Sequence, residues 1–377
     1  MTRRTLLQSL PMLGAPAFDP RRRFLLGLYS LPKRPDAMRQ ARQAGFRVVN
    51  LAPAAEDFSR ARENGMYGWI SAGSDPARIR KLVSGWKDNP TLLFWETEDE
   101  PSYQWKKPGP RIPPQTIRSA YRLIHALDPG RPVYLNHAPT NLVSTLKQYN
   151  PGGDIIATDI YPVIPHGIRE LYALWPDGRQ GDLLNTHISQ VGQYADKMRQ
   201  VAGPGRAVFM VLQAFAWEDL REKDRDPRMV LYPTRDQLRF MAWQSIVHGV
   251  NGLLFWGAHS IPGRAAIWDD LLSVAREIDS LLEPLSAPPL SLPIQCRYHD
   301  TGHSLDRGIE WVAKTEKGGV LVFAVNADCN PVDVTMEGLP GARTCEVLFE
   351  SRNLPVTGAS VRDQFAPFGV HLYRLRR

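Results

Sequence analysis

At 377 residues, 43% of them hydrophobic and 23% charged, the chain has an ordinary globular balance, with room for one large domain and a smaller one. No apolar run reaches the ~18–20 residues that a membrane-spanning helix needs. The formal charge of +7 is scattered rather than gathered into a basic stripe with interleaved aromatics, which argues against nucleic-acid binding.

The chain opens MTRRTLLQSLPMLGAPAFDP. Arg3-Arg4 precede a mostly apolar stretch from Thr5 to Ala17, and Ala15-Pro16-Ala17 has the small-x-small pattern of a cleavage site. Residues 1–20 therefore predict a twin-arginine-like export leader, and a periplasmic or extracellular protein. The three cysteines, Cys296, Cys329 and Cys345, allow at most one disulfide and lack close CxxC spacing.

From residue 23 one pattern repeats: an apolar or β-branched run, a helical stretch, then a Gly or Pro break. The runs are Phe24–Ser30, Phe46–Ala52, Met66–Ala72, Thr91–Thr97, Pro132–His137, Asp154–Tyr161, Ala207–Phe215 and Gly252–Ala258. Helical periodicity lies between them, as at Gln115–Leu127, Leu183–Val201 and Asp236–His248. Near-continuous apolar strands alternating with helices predict a parallel sheet covered on its outer face. Eight such units over roughly 260 residues fit a (β/α)8 TIM barrel, here residues 21–286. An open dinucleotide-binding sheet is disfavoured, because FLLGLYSLPKRP carries no GxGxxG after the first strand. Beyond the proline-rich SAPPLSLP the strands become short and alternating, with Glu316-Lys317-Gly318-Gly319 a hairpin signal. Residues 287–377 thus predict a small all-β sandwich.

Chemistry in such a barrel sits at the C-terminal ends of its strands. Those ends are Tyr29, Asn50, Ser71, Asp99-Glu100-Pro101, Asn136-His137, Asp159-Tyr161-Pro162, Gln213 with Phe215 and Trp217, and Trp256 with His259. Crowded carboxylates at a barrel mouth cannot all ionise freely, so one is expected to hold a proton near neutral pH. Asp99-Glu100 read alone could be a solvated acidic loop, and Asp159 a turn residue; across one mouth, Glu100 and Asp159 supply the two carboxylates of glycoside hydrolysis. Glu96 and Glu98 either line the upper barrel or serve as salt-bridge partners. Gln213 can hydrogen-bond a substrate or tie loops together, but cannot act as nucleophile or base. Tyr29, Asn136, His137 and Tyr161 are candidate substrate contacts. Trp217 and Trp256 offer flat platforms for sugar rings, whereas Trp95 suits core packing. No metal site or cofactor is expected, since His137, His166 and His259 have no HxH or HExxH spacing.

These motifs carry a resemblance. Trp95-x-x-x-Asp99-Glu100-Pro101, Asp159-x-Tyr161-Pro162, VLQAF and HGVNGLLFWG resemble bacterial (β/α)8 glycoside hydrolases of the clan A type, whose fourth strand ends Asn-Glu-Pro and whose barrel is followed by a β-sandwich. The resemblance implies a glycoside or oligosaccharide substrate and Glu100 as general acid/base. It also implies a glutamate nucleophile ending strand seven, where this chain has Gln213. Asp159 could take that role, as in α-galactosidase-like barrels. Asp99-Glu100 could instead serve a substrate-assisted, hexosaminidase-like reaction, with Tyr161 and Gln213 positioning an acetamido group. Strand ends two apart favour a long carboxyl separation and an inverting outcome. The rival classes are a sugar-binding protein that has lost its nucleophile, and an acid–base lyase or isomerase acting on a sugar acid.

Overall fold

The computed structural model describes residues 18–103, 109–169, 187–262, 265–299, 305 and 307–376. Residues 1–17 of the expected export leader and the start of the expected 183–201 helix lie outside them.

Eight parallel strands close into a barrel in sequence order. They are β1 (Leu25–Leu28), β2 (Val48–Asn50), β3 (Tyr67–Ser71), β4 (Leu92–Glu96), β5 (Val133–His137), β6 (Ile155–Ile160), β7 (Ala207–Gln213) and β8 (Gly252–Trp256). Around them run α1 (Ala37–Ala44), α2 (Ala55–Glu63), α3 (Pro76–Trp86), α4 (Pro114–Leu127), α5 (Val143–Lys147), α6 (Gln190–Ala202), α7 (Arg235–Val247) and α8 (Ile267–Asp279). The strands read as unbroken apolar runs because both faces are covered. Leu25, Val48, Trp69, Phe94, Tyr134, Phe209 and Leu254 fill the barrel, while Leu26, Val49, Ile70, Leu135, Ile156, Met210 and Leu253 meet the helices. The helices present matching stripes; α1 buries Ala37, Met38, Ala41 and Ala44, and α7 opens with a Thr234/Gln237 capping box.

After the short helix α9 (Leu282–Ser286) the chain becomes antiparallel. The strands are β9 (Pro289–Leu290), β10 (Gln295–Tyr298), β11 (Ile309–Glu316), β12 (Gly319–Asn326), β13 (Val332–Glu337), β14 (Thr344–Val347), β15 (Arg352–Leu354), β16 (Val361–Phe365) and β17 (Val370–Arg376). They form a three-stranded sheet, β10-β13-β16, facing a six-stranded one, β15-β14-β17-β12-β11-β9. Lys317-Gly318 make the expected two-residue hairpin, with Glu316 paired to Gly319 and Gly318 at φ 85°. Strand β12 does not alternate. Val322 and Ala324 face the small sheet, while Leu321, Phe323 and Val325 join the barrel's own core beside α7. Phe323 packs 4.9 Å from Trp243, and Gln244 Nε2 donates to Glu310 Oε2 at 2.9 Å. No helix among the described residues is long and apolar enough to cross a membrane.

Candidate active site

Each barrel strand contributes one last inward-pointing residue. In order these are Tyr29, Asn50, Ser71, Glu96, Asn136, Asp159, Gln213 and Trp256. Below them the inward positions are apolar, so this ring is the floor of the mouth.

On the fourth strand that member is Glu96. Asp99 and Glu100 lie beyond the strand, a correction to their expected place at its end. Thr97 N donates to Tyr134 O and Glu100 N to Asn136 O, so three residues on one side span two on the other. The extra residue makes a bulge, and Glu100 adopts a left-handed φ of 42°, unusual for a side chain of its size. That turn carries Glu100 over the mouth towards β6.

There its carboxyl is hydrogen-bonded to that of Asp159. Burial raises the Glu100 carboxyl well above its usual range, and the charges of Asp159 and Asp99 add to the rise. Burial lifts Asp159 to about 7, with Asp99 contributing, while the bonds from Glu100 and Asn136 hold it down. Both carboxyls are raised, Glu100 the more strongly, so the pair shares a proton near neutral pH. The long separation expected from the strand positions is absent from this arrangement, because the bulge brings the two carboxyls into contact.

Asn136, 3% exposed, sits between the acids: its Nδ2 donates to Asp99 Oδ1 at 2.9 Å and to Asp159 Oδ1 at 3.0 Å. Surrounding protein, then the Glu98 charge, raise the Asp99 carboxyl against the bond from Asn136 and the charge of Arg111. Its side chain remains exposed at the rim, where solvent tempers that rise. Arg111, whose NH1 donates to Asp99 O at 3.1 Å, is a cation of the site that no strand-end pattern marks.

Tyr161 forms one wall. Its ring stacks on Trp256 with centroids 5.5 Å apart and meets Phe215 edge-on at 5.0 Å. Gly257, at φ 93°, makes this possible, since a Cβ there would come within 2.5 Å of Phe215. Tyr29, Asp159, Tyr161 and Trp256 all keep part of their surface open at the mouth.

Three expected substrate contacts are turned elsewhere. His137 is fully buried and follows the parity of Val133 and Leu135, so it faces the helix layer beside Tyr149; burial lowers it to about 4 and keeps it neutral. Gln213 faces inward but is fully buried. Its Oε1 accepts from Val163 N at 2.8 Å, and its Nε2 donates to Val163 O at 2.9 Å and Phe215 O at 3.0 Å. Trp217, 5% exposed, gives its Nε1–H to Tyr161 O at 3.1 Å and so supports the wall from behind. Glu218, the nearest carboxylate to strand seven's end, is 1% exposed and held by Arg221 Nε at 2.9 Å and Asp226 N at 2.6 Å. Trp95 is also turned to the helices, where its Nε1 donates to Asp128 Oδ2 at 2.9 Å.

Glu96 is the residue that strand-end reading left undecided. It is 2% exposed, accepts from Trp69 Nε1 at 3.0 Å and from Ser71 Oγ, and lies 3.0 Å from Tyr29 Oη. Burial, helped by the charge of Asp99, raises it to about 7. Its parity with Phe94 was the available signal. Among the described residues no group of three or more His, Cys, Asp or Glu is arranged to hold a metal ion.

No protein-family model matches the chain, and no curated protein is similar to it in sequence. Solved structures share the architecture. A glycoside hydrolase family 5 protein from Bacteroides vulgatus is 12% identical, with a TM-score of 0.58, covering 94% of this chain and 89% of its own. A GH27 β-L-arabinopyranosidase from Geobacillus stearothermophilus, solved with arabinose, is 11% identical, with a TM-score of 0.57 over 94% and 97% of the two chains. An α-amylase from Geobacillus thermoleovorans, complexed with acarbose, is 8% identical, with a TM-score of 0.56 over 96% and 99%. At these identities the likeness is one of fold: a (β/α)8 barrel followed by a β-sandwich.

Proposed function

We propose that the protein is an exported glycoside hydrolase in which Glu100 and Asp159 are the catalytic residues. The observation that carries this reading is the meeting of the Glu100 and Asp159 carboxyls, both raised by burial and sharing a proton, in a mouth walled by Tyr161 and Trp256. Glu100 gives that proton to the departing glycosidic oxygen as the bond to the anomeric carbon breaks. Asp159, ionised and freed of its partner, meets the oxocarbenium-like centre, either as nucleophile or as the base that takes a proton from water. Carboxyls in contact are closer than the ~5–5.5 Å of retaining or ~6.5–9.5 Å of inverting enzymes, so substrate entry parts them. Asp99 and Asn136 orient the pair, and Trp256 with Tyr161 offers a flat apolar face to a sugar ring.

Glu100→Gln and Asp159→Asn should each lower kcat by about 10²–10⁴-fold on a panel of aryl glycosides, with an unchanged thermal transition. Wild-type turnover in either variant would remove that residue from the mechanism. Saturable oligosaccharide binding by the wild-type protein, with no product on long incubation, would select the sugar-binding reading instead.

A second reading keeps Asp99-Glu100 as the acids of a substrate-assisted reaction, in which a 2-acetamido group of the substrate attacks and the contact between Glu100 and Asp159 need not open. Hydrolysis of 2-acetamido glycosides alone, with 2-hydroxy analogues inert, would choose it. Export rests on Arg3-Arg4 and the apolar stretch to Ala17; full-length protein confined to the cytoplasm on fractionation would reject it.

A further inference from the structure

The buried Glu96 lies at one end of a chain of polar contacts whose other end is the proposed catalytic pair. Tyr29 Oη is 3.0 Å from Glu96 Oε1 and 3.0 Å from Tyr134 Oη. Tyr134 Oη is 3.5 Å from Asn136 Oδ1, and Asn136 Nδ2 reaches Asp99 and Asp159. Tyr134 is fully buried, so it touches no substrate. We propose that Glu96 is a positioning residue, which through Tyr29 and Tyr134 fixes the amide of Asn136 and thereby aims Asp159 at Glu100. This inference rests on the assignment of that pair as catalytic.

Counting protons gives the chain its direction. The amide of Asn136 must turn Nδ2 to two carboxylates, which leaves Oδ1 needing a donor. Tyr134 is that donor and has one hydrogen to give. Its own oxygen must then accept from Tyr29, which likewise has only one. Glu96 Oε2 already accepts from Trp69 and Ser71, so the contact between Oε1 and Tyr29 closes only if Oε1 carries a proton and donates it. With Glu96 protonated, every contact from it to Asp159 holds one hydrogen. With Glu96 ionised, Tyr29 turns its hydrogen back to the carboxylate. Tyr134 must then choose between Tyr29 and Asn136, and one contact is left as two facing lone pairs.

The groups facing Glu96 suit the protonated form. Tyr29 just past β1, Trp69 and Ser71 on β3, and Tyr134 on β5 are neutral, and Asp99 beyond β4 is acidic. Burial is the largest influence and the charge of Asp99 adds to it, both towards protonation, and together they outweigh the hydrogen bonds of Ser71, Trp69 and Tyr29, which favour the ionised form.

Two variants separate positioning from mere packing. In Glu96→Gln the amide nitrogen can donate permanently to Tyr29 while its oxygen accepts from Trp69 and Ser71. It should keep the wild-type kcat on the acid side of neutrality and extend activity to higher pH. In Tyr134→Phe the ring keeps its place against Phe94, 5.8 Å away, and Tyr29, 6.3 Å away. It should lower kcat by about 10–100-fold, with KM changing far less. An alkaline limb in Glu96→Gln identical to wild type, or wild-type kcat in Tyr134→Phe, would overturn the proposal. A readout without turnover keeps it independent of the glycosidase reading: infrared difference titration of the Asp159–Glu100 carboxyls. Their titration should shift in Tyr134→Phe; a curve superposing on wild type overturns the positioning role even if no glycoside is ever cleaved.

Discussion

Replacing Gln213 with Glu would supply the carboxylate that the resemblance to clan A glycoside hydrolases implies at the end of strand seven, yet no added activity should follow. The Gln213 amide already serves three backbone atoms, two of them carbonyls that need its N–H groups. A glutamate would orphan Val163 O and Phe215 O and bury a charge in a fully enclosed position, costing about 1–3 kcal/mol per lost partner. The expected result of Gln213→Glu is a lower Tm and no gain in kcat; a faster enzyme of equal stability would refute it. Glu96 gives a second test at this scale. Its folded pKa of about 7 lies above its ordinary 4.5, so across that interval the native state holds a proton the unfolded chain has released. Stability contributed by that proton is full below pH ~4.5 and lost as pH rises through ~7, by at most ~3 kcal/mol. The Tm of wild type should therefore fall relative to Glu96→Gln across this window; parallel curves would show that Glu96 ionises freely. Both residues also mark what a strand-end reading can see. It places residue types at the mouth, but only parity along each strand separates Asn136, which looks inward, from His137, which looks out.

At the scale of elements, the eight strands were legible because burial on both faces writes a long apolar run that no other context requires. Their ends were less so, and β4 shows why. The sequence WETEDEP keeps the same acidic character across the end of the ladder and the bulge beyond it. Hydrogen bonding to β5, not composition, decides that Glu96 closes the strand and that Glu100 resumes alongside Asn136. The left-handed backbone of Glu100 stores strain of about 1–3 kcal/mol, which its neighbours must hold in place. Asparagine tolerates that conformation better than glutamate does. Glu100→Asn should accordingly be catalytically dead yet more stable than wild type by about 1 kcal/mol in urea denaturation. A variant less stable than wild type would mean that the carboxyl–carboxyl bond contributes more than the strained turn costs.

For the whole molecule, the apolar pattern of β12 has a consequence for how the protein unfolds. The sandwich was legible from its short strands and hairpin turn. Which of its strands would be buried on both sides was not, because GVLVFAVN reads equally well as the core strand of a free-standing domain. In the structure Leu321, Phe323 and Val325 complete the barrel's core against Trp243, Arg239 NH1 donates to Val370 O at 2.7 Å, and His248 Nε2 sits 2.9 Å from Glu310 Oε2. Helix α7, which these contacts brace, runs directly into β8 and hence to Trp256 at the mouth. A barrel cut after residue 286 would expose fully buried Trp243 and Phe240, so it should bind a hydrophobic dye and aggregate. Because a truncated chain can aggregate for other reasons, Phe323→Ala is the sharper probe. It should cost about 3–5 kcal/mol, loosen α7 enough to raise KM through Trp256, and leave a single calorimetric transition, since the cluster containing Phe323 is continuous with the barrel. Two resolved transitions, with the barrel's Tm unmoved, would show instead that the two parts fold as separate units and that the sandwich does not support the site.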